Sequence, residues 1–222
     1  MQTHPYTDWT SALEHEARML LEDLDAHPVA QRLFDGTIDT KDYAGWLVQT
    51  YHYVRWTTPL LSMAGERLKR LGQHTALAGL LLQKASEERG HERWLLADLR
   101  NLGWTPGQIH RTARCPAVEA YVAWNRFTAE GGAPLAFLGT SYVLECLSVH
   151  RASAAADRLV ARGAIPNIRK ALTFLRGHAD ADGDHVTELR EVLRSLTNPR
   201  EHAALVLSAR TTRALYPGLF PR

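Results

Sequence analysis

The segment His178-Ala-Asp-Ala-Asp182-Gly-Asp-His185 sets His178, Asp182 and His185 at i, i+4 and i+7, on one face of a helix. Two imidazoles and a carboxylate converging on one face are ligands for a hard-to-borderline divalent cation. With 11 histidines and 24 acids in 222 residues, His-x3-acid-x2-His is expected about 0.06 times by chance, so its presence is informative. The segment also runs against local propensity. Asp180, Asp182, Gly183 and Asp184 are weak helix formers, and bound cations would offset what the helix loses. A second candidate lies in Glu87-Glu88-Arg-Gly-His91, where Glu88 and His91 stand at i, i+3. An acid at that spacing before a histidine is expected about once by chance in such a chain, so the pair gains meaning only in company. The third is Glu145, a lone acid within the apolar run Leu138–Leu147. A buried carboxylate needs a partner.

Together these segments offer three histidines and three carboxylates from three helices, a ligand set suited to two divalent ions. Two such ions carry +4 against −3 from the carboxylates, leaving +1 for an anionic ligand such as a substrate carboxylate. Oxygen-rich sites with imidazole and open positions suit iron or manganese, whereas structural zinc favours cysteines in a closed tetrahedron. Cys115 and Cys146 form no CxxC pair.

The elements that must carry these groups read as helices throughout. Helix-period apolar spacing covers Trp9 to Leu24, and a short piece follows His27-Pro28 as far as Phe34. An aromatic-rich helix from about Thr40 is expected to kink or break at Pro59 before Leu71-Gly72, and one long helix is expected over 74–102. Thr105-Pro106 opens a short element. Further helices are expected over 116–129, 134–162, 166–196 and from Asn198-Pro199 to Leu215. No segment alternates as a strand does. The expectation is an all-α, single-domain bundle of about seven helices over residues 1–222. The aromatic cluster of Trp46, Tyr51, Tyr53 and Trp56 reads as core. The apolar tail Leu215–Phe220 offers surface for a homodimer contact.

Composition narrows the function classes. Lys plus Arg minus the acids is 26 − 24 = +2, which argues against nucleic acid as a partner. Two cysteines are too few for a disulfide scaffold, and the start of the chain lacks a signal-peptide pattern, so a cytoplasmic, membrane-free protein is expected.

These motifs resemble the haem-oxygenase-like diiron oxidases and oxygenases, iron-containing redox enzymes related to thiaminase II and pyrroloquinoline quinone synthase. Similar members carry a Glu/His pair on one helix, a lone Glu in a Tyr-x-x-Glu setting and a His-x3-Asp-x2-His helix. Here these are Glu88 with His91, Tyr142 with Glu145, and His178, Asp182 with His185. The segment from His27-Pro28 to Pro59 is similar to the family's N-terminal helices. Members differ in whether the Glu precedes the His by three or seven residues. Lys84 holds the seven-back position here, which selects Glu88, with Glu87 as the fallback. Cys146 stands where a glycine is common and would narrow the pocket.

The resemblance implies two Fe(II) ions, or manganese, with O2 as co-substrate and a small molecule, carrying a carboxylate or amine, as the compound oxidised. It implies that Glu88, His91 and His178 hold one ion and Glu145, Asp182 and His185 the other. Tyr142, one turn before Glu145, would donate a hydrogen bond beside the ligands. Arg55 is a candidate anchor for a substrate carboxylate. The competing readings are a haem protein of the same fold, with His15 or His27 as axial ligand, and a cofactor-free enzyme or binding protein.

Overall fold

The computed structural model describes residues 8–221, except for the side chains of residues 179–185. Among the described residues there are eleven α-helices, three short 3-10 turns and no strand. In chain order the helices are α1 (Trp9–Asp25), α2 (Pro28–Phe34), α3 (Thr40–Val54), α4 (Thr57–Arg70), α5 (Thr75–Glu87) and α6 (His91–Asn101). They continue as α7 (Pro106–Arg111), α8 (Pro116–Glu130), α9 (Phe137–Arg162), α10 (Thr173–Arg194) and α11 (Pro199–Leu215). None is long and apolar enough to cross a membrane, among the residues described.

The all-α expectation is met; the eleven helices are the seven long ones expected plus the two short pieces at 28–34 and 106–111, with two of the long ones divided. The first divides into α3 and α4 at Arg55-Trp56. Pro59 lacks the N–H that would bond to the Arg55 carbonyl, so the chain restarts with the proline inside the first turn of α4, where no donor is needed. The second, expected unbroken over 74–102, divides into α5 and α6. Gly90 takes φ +98°, a left-handed conformation that ends one helix and begins the next at a new angle.

The remaining starts follow local chemistry. Asp8 caps α1 through Ser11 N (2.7 Å), Asp39 caps α3 through Asp42 N (2.8 Å), and Thr105 with Gln108 forms a capping box on α7. Helix α9 is the spine. Its 26 residues span about 39 Å and pack against α1, α2, α10 and α11. Gly139 allows the approach of α11, since a Cβ there would collide with the Leu205 carbonyl. At that crossing Thr140 Oγ1 meets Asn125 Oδ1 (2.9 Å), Ser208 Oγ (3.0 Å) and Thr212 Oγ1 (2.9 Å), so buried hydroxyls tie α8, α9 and α11 together. The tail expected to face a partner chain closes this chain's own core. Leu219 and Phe220 are buried, and Phe220 stacks on Trp46.

Candidate metal centre

The break at Gly90 shapes the site. Glu88 caps the C-terminus of α5 and His91 opens α6, so the two side chains come from two helices meeting at a corner rather than from one turn of a continuous helix. Glu88 Oε2 lies 3.0 Å from His91 Nδ1. His178, on α10, completes a group in which one ligand atom from each of Glu88, His91 and His178 lies within 4.8 Å of the others. Burial pushes the Glu88 carboxyl up, but His91, His178 and the charge of Lys84 outweigh it and hold the group below its usual range. The carboxylate is thus ionised and ready to bind a cation. Glu87, the fallback ligand, is exposed and accepts from Gln83 Nε2 (2.9 Å).

Two devices orient the imidazoles. The His91 ring stacks on Trp94, with centroids 3.9 Å apart, and His178 packs edge-on against His91 (5.0 Å), Trp94 (5.9 Å) and Phe174 (4.6 Å). Trp94 fits because residue 177 is glycine. A Cβ there would stand 2.5 Å from the indole ring. The second device is Asp98, fully buried on α6, whose carboxylate accepts from Thr173 N and Phe174 N at 2.9 Å each. Helix α10 has no cap from its own chain segment. The cap comes from the helix that carries His91, which ties the positions of His91 and His178 together. The isolated acid at 98 within an apolar helix face was the sequence signal for this role.

Glu145 projects from α9, where its Oε1 pairs with Lys84 Nζ at 3.2 Å. Asp182 and His185 lie outside the described residues. The Tyr142 hydroxyl accepts from Arg190 (3.2 Å), and burial pushes its pKa up to about 12. Cys146 packs beside Tyr142 and is not on the wall of the adjoining cavity, so it does not narrow that space.

That cavity has about 950 Å³ of empty space, mouth included, and its wall carries Glu88, Glu145 and His178. Much of the rest is aromatic, with Tyr53, Tyr121 and Tyr216 grouped near Glu88. Arg55, the expected anchor, is exposed and lies over the Tyr51 ring, away from this wall. Among the described lining residues the cation is Arg151, which also pairs with Asp25 at the surface. It stands six residues beyond Glu145, about 9 Å along α9. His15 and His27, the alternative haem ligands, do not line the cavity: His15 lies against Arg18 and His27 caps α2.

Residues 44–216 match the sequence pattern of the iron-containing redox enzymes. The chain belongs to that family. No curated protein matches it. Its fold is that of solved haem-oxygenase-like proteins. A domain of unknown function from Shewanella denitrificans, described as having a heme oxygenase-like fold, is 21% identical at TM-score 0.80, over 96% of this chain and 90% of its own. A TenA homologue from Pseudomonas syringae pv. tomato is 15% identical at TM-score 0.75, over 99% and 96%. Another from P. horikoshii is 17% identical at TM-score 0.70, over 94% and 96%.

For an iron-containing redox enzyme the donor set fits. A carboxylate and two imidazoles suit ferrous iron, and Glu88, His91 and His178 are the residues that would hold it. His91 Nδ1 is buried and its near polar neighbour is the Glu88 carboxylate, so the two face each other as co-ligands of one ion would.

Proposed function

We propose that the chain is a non-haem diiron oxidase or oxygenase that uses O2 to oxidise a small molecule, by N-oxygenation of an amine or amino acid or by oxidative C–C cleavage of an amino or fatty acid. The observation that carries this reading is the Glu88–His91–His178 cluster opening onto a largely apolar cavity in a member of an iron-containing redox family. In it, Glu88, His91 and His178 hold one ferrous ion, and Glu145, Asp182 and His185 hold the second; manganese suits the same donors. The metals, when bound, supply the electrons and open coordination positions that activate O2.

The chain's own residues do the rest. The aromatic wall excludes water and packs the apolar part of the substrate. Arg151, the cation on that wall, meets a substrate carboxylate by exchanging its Asp25 partner for it. Tyr142 is a positioning residue, bracing α9 one turn before Glu145 through Arg190. Trp94 and Asp98 keep the two imidazoles aimed at a common point.

Anaerobic titration with ferrous iron, followed by rapid mixing with O2, tests the reading. Wild type should take up iron stoichiometrically and change its visible spectrum on mixing, whereas Glu88→Gln and His178→Ala should lose the tighter equivalent. Absence of stoichiometric uptake by the folded wild type would sink the proposal in favour of a haem or cofactor-free protein.

A further inference from the structure

The half of the centre served by Glu145 already contains a cation. Lys84 stands on α5 one turn before Glu88, so the two share a side of the C-terminal end of that helix. Its side chain is only 4% exposed, and its ammonium lies 3.2 Å from Glu145 Oε1. A lysine this deep is held there by its counter-charge. Its charge also acts on Glu88. The ammonium is therefore paired with the carboxylate of one half-site and acts on that of the other, where a second divalent ion would carry charge of the same sign.

We infer that Lys84 is a built-in cation for the Glu145 half of the centre, neutralising that carboxylate until a second metal competes for it, so that the two metals load unequally and in order. This rests on the metal-binding reading above. The first ion meets Glu88, His91 and His178, none of which is engaged by the Lys84 ammonium in a direct ion pair. The second must break the Lys84–Glu145 pair and displace the ammonium, which its flexible four-carbon stem permits. Breaking a charge-assisted hydrogen bond weakens the second step by about tenfold or more relative to a site without the lysine. Lys84 thus makes the one-metal state a populated species at intermediate metal concentration, and links arrival of the second ion to movement of a positive charge at the cavity wall.

The test is anaerobic calorimetric titration with Fe(II) or Mn(II) alone, with metal counted by elemental analysis, on wild type, Lys84→Met, Lys84→Arg and the double variant Lys84→Met/Glu145→Gln. Wild type and Lys84→Arg should bind one equivalent tightly and a second at least about tenfold more weakly. In Lys84→Met the second affinity should rise by about tenfold while the first changes little. Its metal-free melting temperature should fall, because the buried Lys84–Glu145 ion pair is gone, and recover with excess metal. The double variant, relieved of both charges, should fold and keep only the tight equivalent. Two equivalents of equal affinity in wild type, or an unchanged second affinity in Lys84→Met, would overturn the inference and leave the metal-centre reading standing. Absence of binding by every variant and by wild type would overturn both.

Discussion

Replacing Asp98 by alanine isolates the link between the two histidine-bearing helices. Its carboxylate accepts from Thr173 N and Phe174 N, both at 2.9 Å, and it is fully buried, so alanine leaves two helix N-terminal donors without acceptors. Hydrogen bonds to a charged acceptor contribute about 1.5–3 kcal/mol each. Burial pushes the Asp98 carboxyl above the usual range despite those two bonds, which marks a desolvation cost that cancels part of the gain. A net loss of about 3 kcal/mol is therefore expected. For a chain of this size each kcal/mol shifts the melting temperature by about 2–4 °C, giving a fall of about 6–12 °C by circular dichroism. Asp98→Asn keeps one acceptor oxygen but turns an NH2 toward the second N–H, and should recover less than half of that. Both variants should also bind the first metal more weakly, because His178 loses its registration with His91. Melting within about 2 °C of wild type, with unchanged metal affinity, would refute the reasoning.

Gly177→Ala should force the Trp94 ring to move, destabilising the chain by about 1–3 kcal/mol and weakening first-metal binding, since His91 stacks on that ring. An unchanged near-ultraviolet spectrum and metal affinity would count against this packing account. His52 is buried, with Nε2 bonded to the Thr112 carbonyl (2.9 Å), and burial first, then the charges of Arg55 and Arg114, holds its pKa below 6.5. The unfolded chain then binds the proton more readily, so this contribution to stability is present above pH 6.5 and is lost as pH falls through the window beneath it. Urea melts of His52→Gln at mildly acidic and neutral pH should show a smaller difference than wild type; an equal difference would place the acid sensitivity elsewhere.

Much of the site was legible from local spacing. Helical periodicity fixes which residues share a face, so the pairing of Glu88 with His91 and the isolation of Glu145 could be read before any fold was known. The all-α class followed equally from apolar spacing and turn residues. Spacing did less well where the backbone turns. Glu88 and His91 meet across a helix break made by the left-handed Gly90, and an unbroken helix over 74–102 would have aimed them differently.

What the sequence by itself determined is the helical class, the candidate ligand residues and the partial sharing of faces, because these depend on interactions within one or two turns. Tertiary structure alone decided that His178 from α10 joins Glu88 and His91, that Asp98 caps that distant helix, that Lys84 pairs with Glu145, and that Arg151 rather than Arg55 lines the cavity. Those pairings join residues 61 to 90 positions apart for the lysine pair and the cluster. Their geometry is set by the crossing of whole helices, which depends on which apolar faces pack against one another and which small residues let backbones approach.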